Sequence, residues 1–245
     1  MPRFFCASQD ISAGKIIIKN KEQVHHIRDV LRLKVEDSAT ICDEKGREFS
    51  CLVEDISSDR VILNIAETRI LNTQKVALNI TVGCAIPKKC KFDDIVDKLT
   101  QLGVDRIIPL LTERVIVKWD VRKRNSQQKR WEKIALNASQ QSQRCVLPVI
   151  DPVKTIEEVL KESAGYDLKL IPALINERKP LKDILVQVRP KNILILIGPE
   201  GDFTPGEVAL AKSKGFVPVT LGDNVLRVDT AAVAVVSYIR LFFLP

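Results

Sequence analysis

Hydrophobic and polar side chains alternate through most of the first 70 residues, which is the pattern of strands with one buried face. The clearest stretch, residues 39–67, is interrupted by polar turns at 44–46 and 57–59. Residues 25–34 instead carry apolar side chains at nearly helical spacing, so one short helix is expected among the strands. Several short strands joined by turns predict a small N-terminal β-barrel.

From residue 75 onward, continuous apolar runs alternate with helical stripes. Runs of strand length occupy 76–86, 106–111, 168–174, 192–198 and 217–221. Helical patterns occupy 92–102, 127–142, 155–163, 204–214 and 230–243. This alternation predicts an α/β fold, a parallel sheet with helices on both faces. The chain is therefore divided into a β-domain at 1–72 and an α/β domain at 73–245.

Composition narrows the class of protein. The chain has 245 residues and no apolar run near the ~18 that a membrane span needs, and its N-terminus lacks a signal peptide's apolar core. We therefore expect a cytoplasmic protein without a membrane partner. Six cysteines form no C-x-x-C pair and the two histidines are adjacent, so no metal site is expected. The thiols are expected to stay reduced and buried.

Positive charge is concentrated in one segment. The net charge is +7, and the surplus lies entirely after residue 72. Residues 114–133 hold eight Lys and Arg against two acids, a field that attracts polyanions. The two tryptophans in this segment could stack on bases or pack into the core. The candidate RNA contacts are Arg122, Lys123, Arg124, Lys129 and Arg130, with Arg28 and Arg32 as a second group in the barrel.

Three loops follow predicted strands and have unusual composition. They are 171–173 (IPA), 197–203 (IGPEGDF) and 221–227 (LGDNVLR). Open parallel sheets bind ligands beyond the carboxyl ends of their strands, and glycine lets the backbone approach a ligand closely. Neither glycine pattern is a phosphate loop or a dinucleotide fingerprint. The three loops therefore predict a site for another kind of ligand.

The motifs ILIGPEGDFTPGEV and LGDNVLRVDTAAVAVVSYI resemble the C-terminal signature of the RsmE family, bacterial methyltransferases that act on N3 of a uridine in 16S ribosomal RNA. KLTQLGVDRIIPLLTERV, NASQQSQRCVLPVI and HHIRDVLRLKVEDSATICDEKG are similar to further segments of that family. The resemblance spans both domains. This chain departs from the family pattern at Asn224, where Arg is usual, at Asp229, where Glu is usual, and at Asp202, where Gly is usual.

The resemblance implies a SPOUT-type α/β domain with a deep trefoil knot, an exception to the rule against knotted chains, and a PUA-like β-barrel that helps to hold RNA. It also implies a homodimer that binds S-adenosylmethionine and acts on 16S RNA of the small ribosomal subunit. The expected cofactor-binding residues are Ile171, Pro172, Ala173, Leu196, Ile197, Gly198, Pro199, Glu200, Gly201, Leu221, Gly222, Val225, Leu226, Arg227, Thr230 and Ala231.

Three residues are candidates for catalysis. Arg227 could stabilise the uridine anion that forms when N3 loses its proton, or could brace the loop through an ion pair with Asp229 or Glu200. Glu200 could act as a base, hold the cofactor's amino group, or brace the following helix. Arg144 could reach RNA or the partner's site. Two alternatives stay open: a ribose 2′-O-methyltransferase of the same superfamily, and an RNA-binding protein without turnover.

Overall fold

The computed structural model describes residues 1–70, 78–88, 92–115 and 119–244. The chain forms two compact units, one made of Met1–Lys75 with Ser139–Leu147, the other of Val76–Ala138 with Pro148–Pro245. The predicted boundary at residues 72 and 73 lies outside the described residues. Residues 139–147, which the sequence analysis placed in the larger domain, pack instead with the first unit.

The first unit is a six-stranded mixed sheet. Its strands are β1 (Arg3–Cys6), β2 (Ile11–Ser12), β3 (Lys15–Ile18), β4 (Ser38–Asp43), β5 (Arg47–Ile56) and β6 (Val61–Ile70). They pair in the order β1-β4-β5-β6-β3-β2, with β1 parallel to β4 and the other pairs antiparallel. The alternating apolar residues meet in one core that includes Phe4, Ile41 and Phe49.

The predicted short helix is displaced toward the N-terminus. Asn20 caps α1 (Lys21–His25), which continues into one π-type turn at His26–Val30. Val24 and Ile27 face the core, whereas Val30 and Leu31 are exposed. The apolar spacing after residue 30 therefore does not reflect a buried helix face.

The second unit contains an eight-stranded parallel sheet. Its strands are β7 (Asn79–Ala85), β8 (Arg106–Leu111), β9 (Val149–Ile150), β10 (Lys154–Thr155), β11 (Leu168–Pro172), β12 (Lys179–Pro180), β13 (Asn192–Ile197) and β14 (Val217–Thr220). The order is β10-β8-β7-β13-β11-β14-β12, and β9 pairs with β8. Strands β9, β10 and β12 were not predicted, because each has only two residues and therefore no periodic signal.

Helices surround this sheet. They are α2 (Phe92–Gln101), α3 (Val121–Gln141), α4 (Ile156–Glu162), α5 (Leu181–Leu185), α6 (Pro205–Ser213) and α7 (Val228–Phe242). The sheet's two faces carry separate cores, one that includes Ile80 and Val236, the other Leu110 and Phe203. Two covered faces explain why the central strands are apolar at nearly every position. No described helix is long and apolar enough to cross a membrane.

Candidate active site

The loops that follow β11, β13 and β14 line one cleft. These three strands are neighbours in the sheet, so their carboxyl ends lie side by side. The cleft is partly open to solvent and has a cavity volume of about 90 Å³. Its lining comprises Pro172, Ala173, Leu174, Arg178, Ile197, Gly198, Pro199, Glu200, Asp202, Val219, Thr220, Leu221, Gly222, Asn224, Val225, Leu226, Val228 and Ala231.

Most of the predicted cofactor residues meet in this cleft. Of the sixteen, eleven line it, and the others are Ile171, Leu196, Gly201, Arg227 and Thr230. Ile171 and Leu196 are fully buried in the core below the cleft, because they occupy strand positions that face the opposite side of the sheet from their neighbours. Whether these residues hold a cofactor stays a prediction.

Asp202 and Asn224 belong to the predicted loops, whereas five lining residues lie outside them: Leu174, Arg178, Val219, Thr220 and Val228. Val219 and Thr220 end a predicted strand, so the rule that ligands bind at carboxyl ends could have found them. Arg178 has no such signal. It precedes the two-residue strand β12, which only the tertiary pairing with β14 reveals.

The loop after β13 is held by its own side chains and by neighbouring backbone. A Cβ on Gly198 would lie 3.0 Å from the ring of buried Phe203, so this position has little room for a side chain. Asp202 adopts a left-handed conformation (φ 59°) that Asp tolerates, and its Oδ2 accepts a hydrogen bond of 2.7 Å from the Leu174 amide. Glu200 Oε1 accepts one of 3.0 Å from the Lys88 amide. The loops after β7, β11 and β13 are thus tied together.

Two further residues support this loop from outside the cleft. The Arg114 guanidinium donates to the Gly201 carbonyl. Glu207 is buried and accepts hydrogen bonds of 2.8 Å from the amides of Glu113 and Thr204, so the capping box at the start of α6 also anchors the turn after β8. The TERV segment that carried part of the resemblance is therefore adjacent to the loop.

The loop after β14 depends on one unusual backbone conformation. Gly222 has φ 127°, which L-residues rarely adopt, and no protein atom lies within 4 Å of where its Cβ would be. Arg227 ends the loop as the N-cap residue of α7. Its carbonyl accepts from the Ala231 amide, but its side chain is exposed and makes no hydrogen bond or ion pair within the described residues. The alternative in which the side chain braces the loop through Asp229 or Glu200 is therefore not what the structure has.

Two carboxylates influence a buried thiol of β7. Burial raises the pKa of the Cys84 thiol first, and the charges of Asp229 and Glu200 raise it further. Asp229 Oδ2 lies 3.8 Å from Lys98 Nζ, so a neighbouring cation partly balances its charge.

Arg144 lies outside the cleft lining, in the segment 139–147 that packs with the first unit. In that unit Cys145 forms a disulfide with Cys42, which corrects the expectation that all thiols stay reduced. Both sulfurs lie within 4.8 Å of a Glu48 oxygen, a combination of metal-ligand types. Glu48 pairs with Arg3 at 2.8 Å and disulfide sulfur is not a thiolate, so we assign no metal to this group.

Several side chains of the basic segment 114–133 are engaged in contacts within the protein. Trp131 is 1% exposed and donates to Asp93 at 3.2 Å, while Trp119 packs against the same core, so core packing accounts for both rings. Arg130 pairs with Asp93, and Arg124 Nε donates to the Trp119 carbonyl at 3.1 Å. Helix α3 begins at Val121, six residues earlier than predicted.

This leaves Arg122, Lys123 and Lys129 as side chains of α3 without a partner in the described part of the chain. In the first unit, Arg28 is exposed and pairs with Asp29 at 2.8 Å, and Arg32 lies in a left-handed conformation just after the π-turn. The RNA-binding assignments of all these residues stay predictions.

Family models match both units. Residues 74–240 match an RNA methyltransferase domain, and residues 18–66 match an RNA methyltransferase PUA domain. The first match covers more than half of the chain. It includes all the strands whose carboxyl ends form the cleft.

Individual relatives agree over nearly the full length. The chain is 30% identical to ribosomal RNA small subunit methyltransferase E of Bacillus subtilis, covering 97% of this chain and 96% of that protein. It is also 30% identical to the Rickettsia conorii protein of the same name, covering 98% and 95%. The crystal structure of the Neisseria gonorrhoeae enzyme bound to S-adenosylmethionine superposes with a TM-score of 0.85 at 29% identity, covering 99% of this chain and 98% of that one.

Proposed function

Because this chain belongs to the RNA methyltransferase family that includes ribosomal RNA small subunit methyltransferase E, we propose that it transfers the methyl group of S-adenosylmethionine to N3 of a uridine in 16S ribosomal RNA. The observation that carries the proposal is the cleft, built from three loops at adjacent carboxyl strand ends in a chain that matches the family over both units. The family supports methylation of ribosomal RNA, and the choice of N3 of a uridine is the finer part of the proposal.

The residues of the cleft fit S-adenosylmethionine. Apolar side chains such as Leu221, Leu226 and Ala231 can cover an adenine, and the open backbone at Gly222 leaves room for a ligand. Carboxylates at Glu200 and Asp202 suit its ammonium and sulfonium charges. When bound, S-adenosylmethionine would supply a methyl group on a cationic sulfur. A nucleophile attacks the methyl carbon in line, and the sulfur leaves as the thioether of S-adenosylhomocysteine.

Arg227 has the properties needed at the acceptor base. A uridine N3 becomes nucleophilic as it loses its proton to solvent water, and a guanidinium stabilises the resulting anion. Arg227 follows Leu226 of the cleft lining and has no competing acid within the described residues. We expect Arg227→Ala to lower kcat by about 10²–10³ with cofactor affinity within twofold. Equal losses in kcat and affinity would contradict this role.

Glu200 is better suited to positioning than to proton transfer. Its Oε1 already accepts the Lys88 amide, so the carboxylate joins two loops of the cleft. A positioning role predicts that Glu200→Gln, which retains an acceptor oxygen, keeps most of kcat at saturating S-adenosylmethionine at every pH. If Glu200→Gln instead removes the acidic limb of the kcat profile, Glu200 is the base.

We infer that RNA is held through phosphates by the unpaired cations of α3, and that the substrate is presented in the small ribosomal subunit. Arg122 and Lys123 are exposed near the start of that helix. Phosphate contacts position RNA without reading its sequence. The recognition of one uridine then depends on the shape of the RNA around the cleft.

We also propose a homodimer that uses the C-terminal helix. Val235, Val236 and Ile239 of α7 are buried in the core, which accounts for part of its apolar character. Leu241 remains 69% exposed, and exposed apolar residues at a helix end suit a subunit contact. Leu241→Lys should shift the species seen by light scattering toward 27.5 kDa at micromolar concentration. A monomeric wild-type protein would overturn this part of the proposal.

The decisive experiment is to locate the methyl group. Small ribosomal subunits that lack the modification are incubated with the protein and labelled S-adenosylmethionine, and the RNA is digested for mass spectrometry. The expected product is N3-methyluridine. A methylated ribose would indicate the 2′-O alternative, and binding without any transfer would indicate an RNA-binding protein without turnover.

A further inference from the structure

Among the described residues, Arg178 is the one cation in the lining of the cleft, and none of the sequence motifs includes it. Two carboxylates, Glu200 and Asp202, line the same cleft. Even so, Arg178 makes no ion pair or hydrogen bond within the described residues. The cleft therefore contains a guanidinium, that of Arg178, which forms no ion pair with the two carboxylates of the lining.

The two carboxylates are engaged by backbone amides. Asp202 Oδ2 accepts from the Leu174 amide at 2.7 Å, and Glu200 Oε1 accepts from the Lys88 amide at 3.0 Å. These bonds hold both acids against their own loops. Both acids are thus held by backbone amides, and the guanidinium donors of Arg178 stay available to a ligand.

The backbone on either side of Arg178 is anchored. The preceding residue, Glu177, pairs with Lys212 of α6 at 2.7 Å. The following residue, Lys179, belongs to β12 and pairs with Val219 of β14, itself part of the cleft lining. The backbone of Arg178 is thus held at the sheet edge by a strand pairing on one side and an ion pair on the other, so binding a ligand does not require the backbone to be ordered.

Charge complementarity indicates which group of the cofactor Arg178 binds. S-adenosylmethionine carries one anionic group, the carboxylate of its methionine part, and two cationic ones. The cleft carries one guanidinium and two carboxylates, the opposite set. We propose that Arg178 binds the carboxylate of S-adenosylmethionine and thereby selects cofactors with an intact amino-acid part. This inference rests on the proposed function and adds a specificity residue to it.

The test compares two ligands that differ only in that carboxylate. Titration calorimetry measures the affinity of the full-length protein for S-adenosylmethionine and for its decarboxylated form, which retains the amine and the sulfonium. Arg178→Ala should weaken S-adenosylmethionine by about tenfold, the effect of one exposed charge-assisted hydrogen-bonded pair, and change the decarboxylated ligand by less than twofold. Lys179→Ala removes the neighbouring exposed cation, which does not line the cleft, and should change neither affinity.

Each other outcome has a definite meaning. Equal losses for both ligands would show that Arg178 supports the loop structure, and no loss for either would show that the carboxylate binds elsewhere; both overturn the inference and leave the proposed function intact. Unchanged cofactor affinity with weaker RNA binding would place a phosphate on Arg178 instead, which also overturns it. A wild-type protein that binds neither ligand would overturn both the inference and the proposed function.

Discussion

A single methyl group added at Gly222 should separate the effect of backbone strain from that of steric crowding in the loop after β14. Gly222 has φ 127°, a region where residues with a Cβ are strained by about 1–3 kcal/mol. Nothing lies within 4 Å of the added Cβ, so Gly222→Ala meets no protein atom and its whole effect arises from φ. To relieve the strain, the loop at 221–227 must leave the conformation that lines the cleft.

If cofactor binding requires that conformation, affinity falls by the same free energy. At about 1.4 kcal/mol per factor of ten, the expected loss is about 5- to 150-fold in the calorimetric affinity for S-adenosylmethionine. Gly46 is a matched control, because it has φ 72° and open space around its Cβ but lies in the turn between β4 and β5. Gly46→Ala should lower thermal stability and leave cofactor affinity unchanged. A Gly222→Ala protein that binds within twofold of wild type would refute the reasoning.

Three further predictions concern RNA, pH and redox state. Arg122→Ala with Lys123→Ala should weaken RNA binding regardless of RNA sequence and lower the slope of log affinity against log salt by about one to two, with cofactor affinity unchanged as the control. Burial alone would raise the pKa of Asp151, but hydrogen bonds from Arg106 and Lys154 hold it below the ordinary carboxyl value, so its stabilisation is present above pH ~4 and is lost as pH falls through the lowered pKa. Asp151→Asn should therefore cost about 2–3 kcal/mol at neutral pH and flatten the acid limb of stability measured by circular dichroism; an unchanged acid limb would contradict this. Peptides containing Cys42 and Cys145 should escape alkylation until a reductant is added, and labelling of both without reductant would show that the disulfide is absent in solution.

The sequence determined those features that depend on local periodicity. Strands β8, β11, β13 and β14 are apolar on both faces, and the capping box of Thr204 and Glu207 marks the start of α6, so their bounds were predicted to within two residues. Strand β7 was also predicted, but it begins at Asn79, three residues after the predicted start. The loops of the site were also predicted, because carboxyl strand ends and glycine carry a general meaning in parallel sheets. The motifs in those loops then identified the family, and the family models and relatives confirm it.

Tertiary structure alone decided which side chains of these loops share the cleft and which are already engaged. Arg178 enters the lining through the pairing of a two-residue strand with β14, and strands that short leave no periodic pattern. From the sequence, Trp131 is equally suited to stacking on RNA and to packing in the core. The structure decides for packing, because Trp131 is buried against Phe92. Burial and hydrogen-bond partners come from residues distant in sequence, as when Asp202 meets Leu174, and one chain's local pattern contains no information about such pairs.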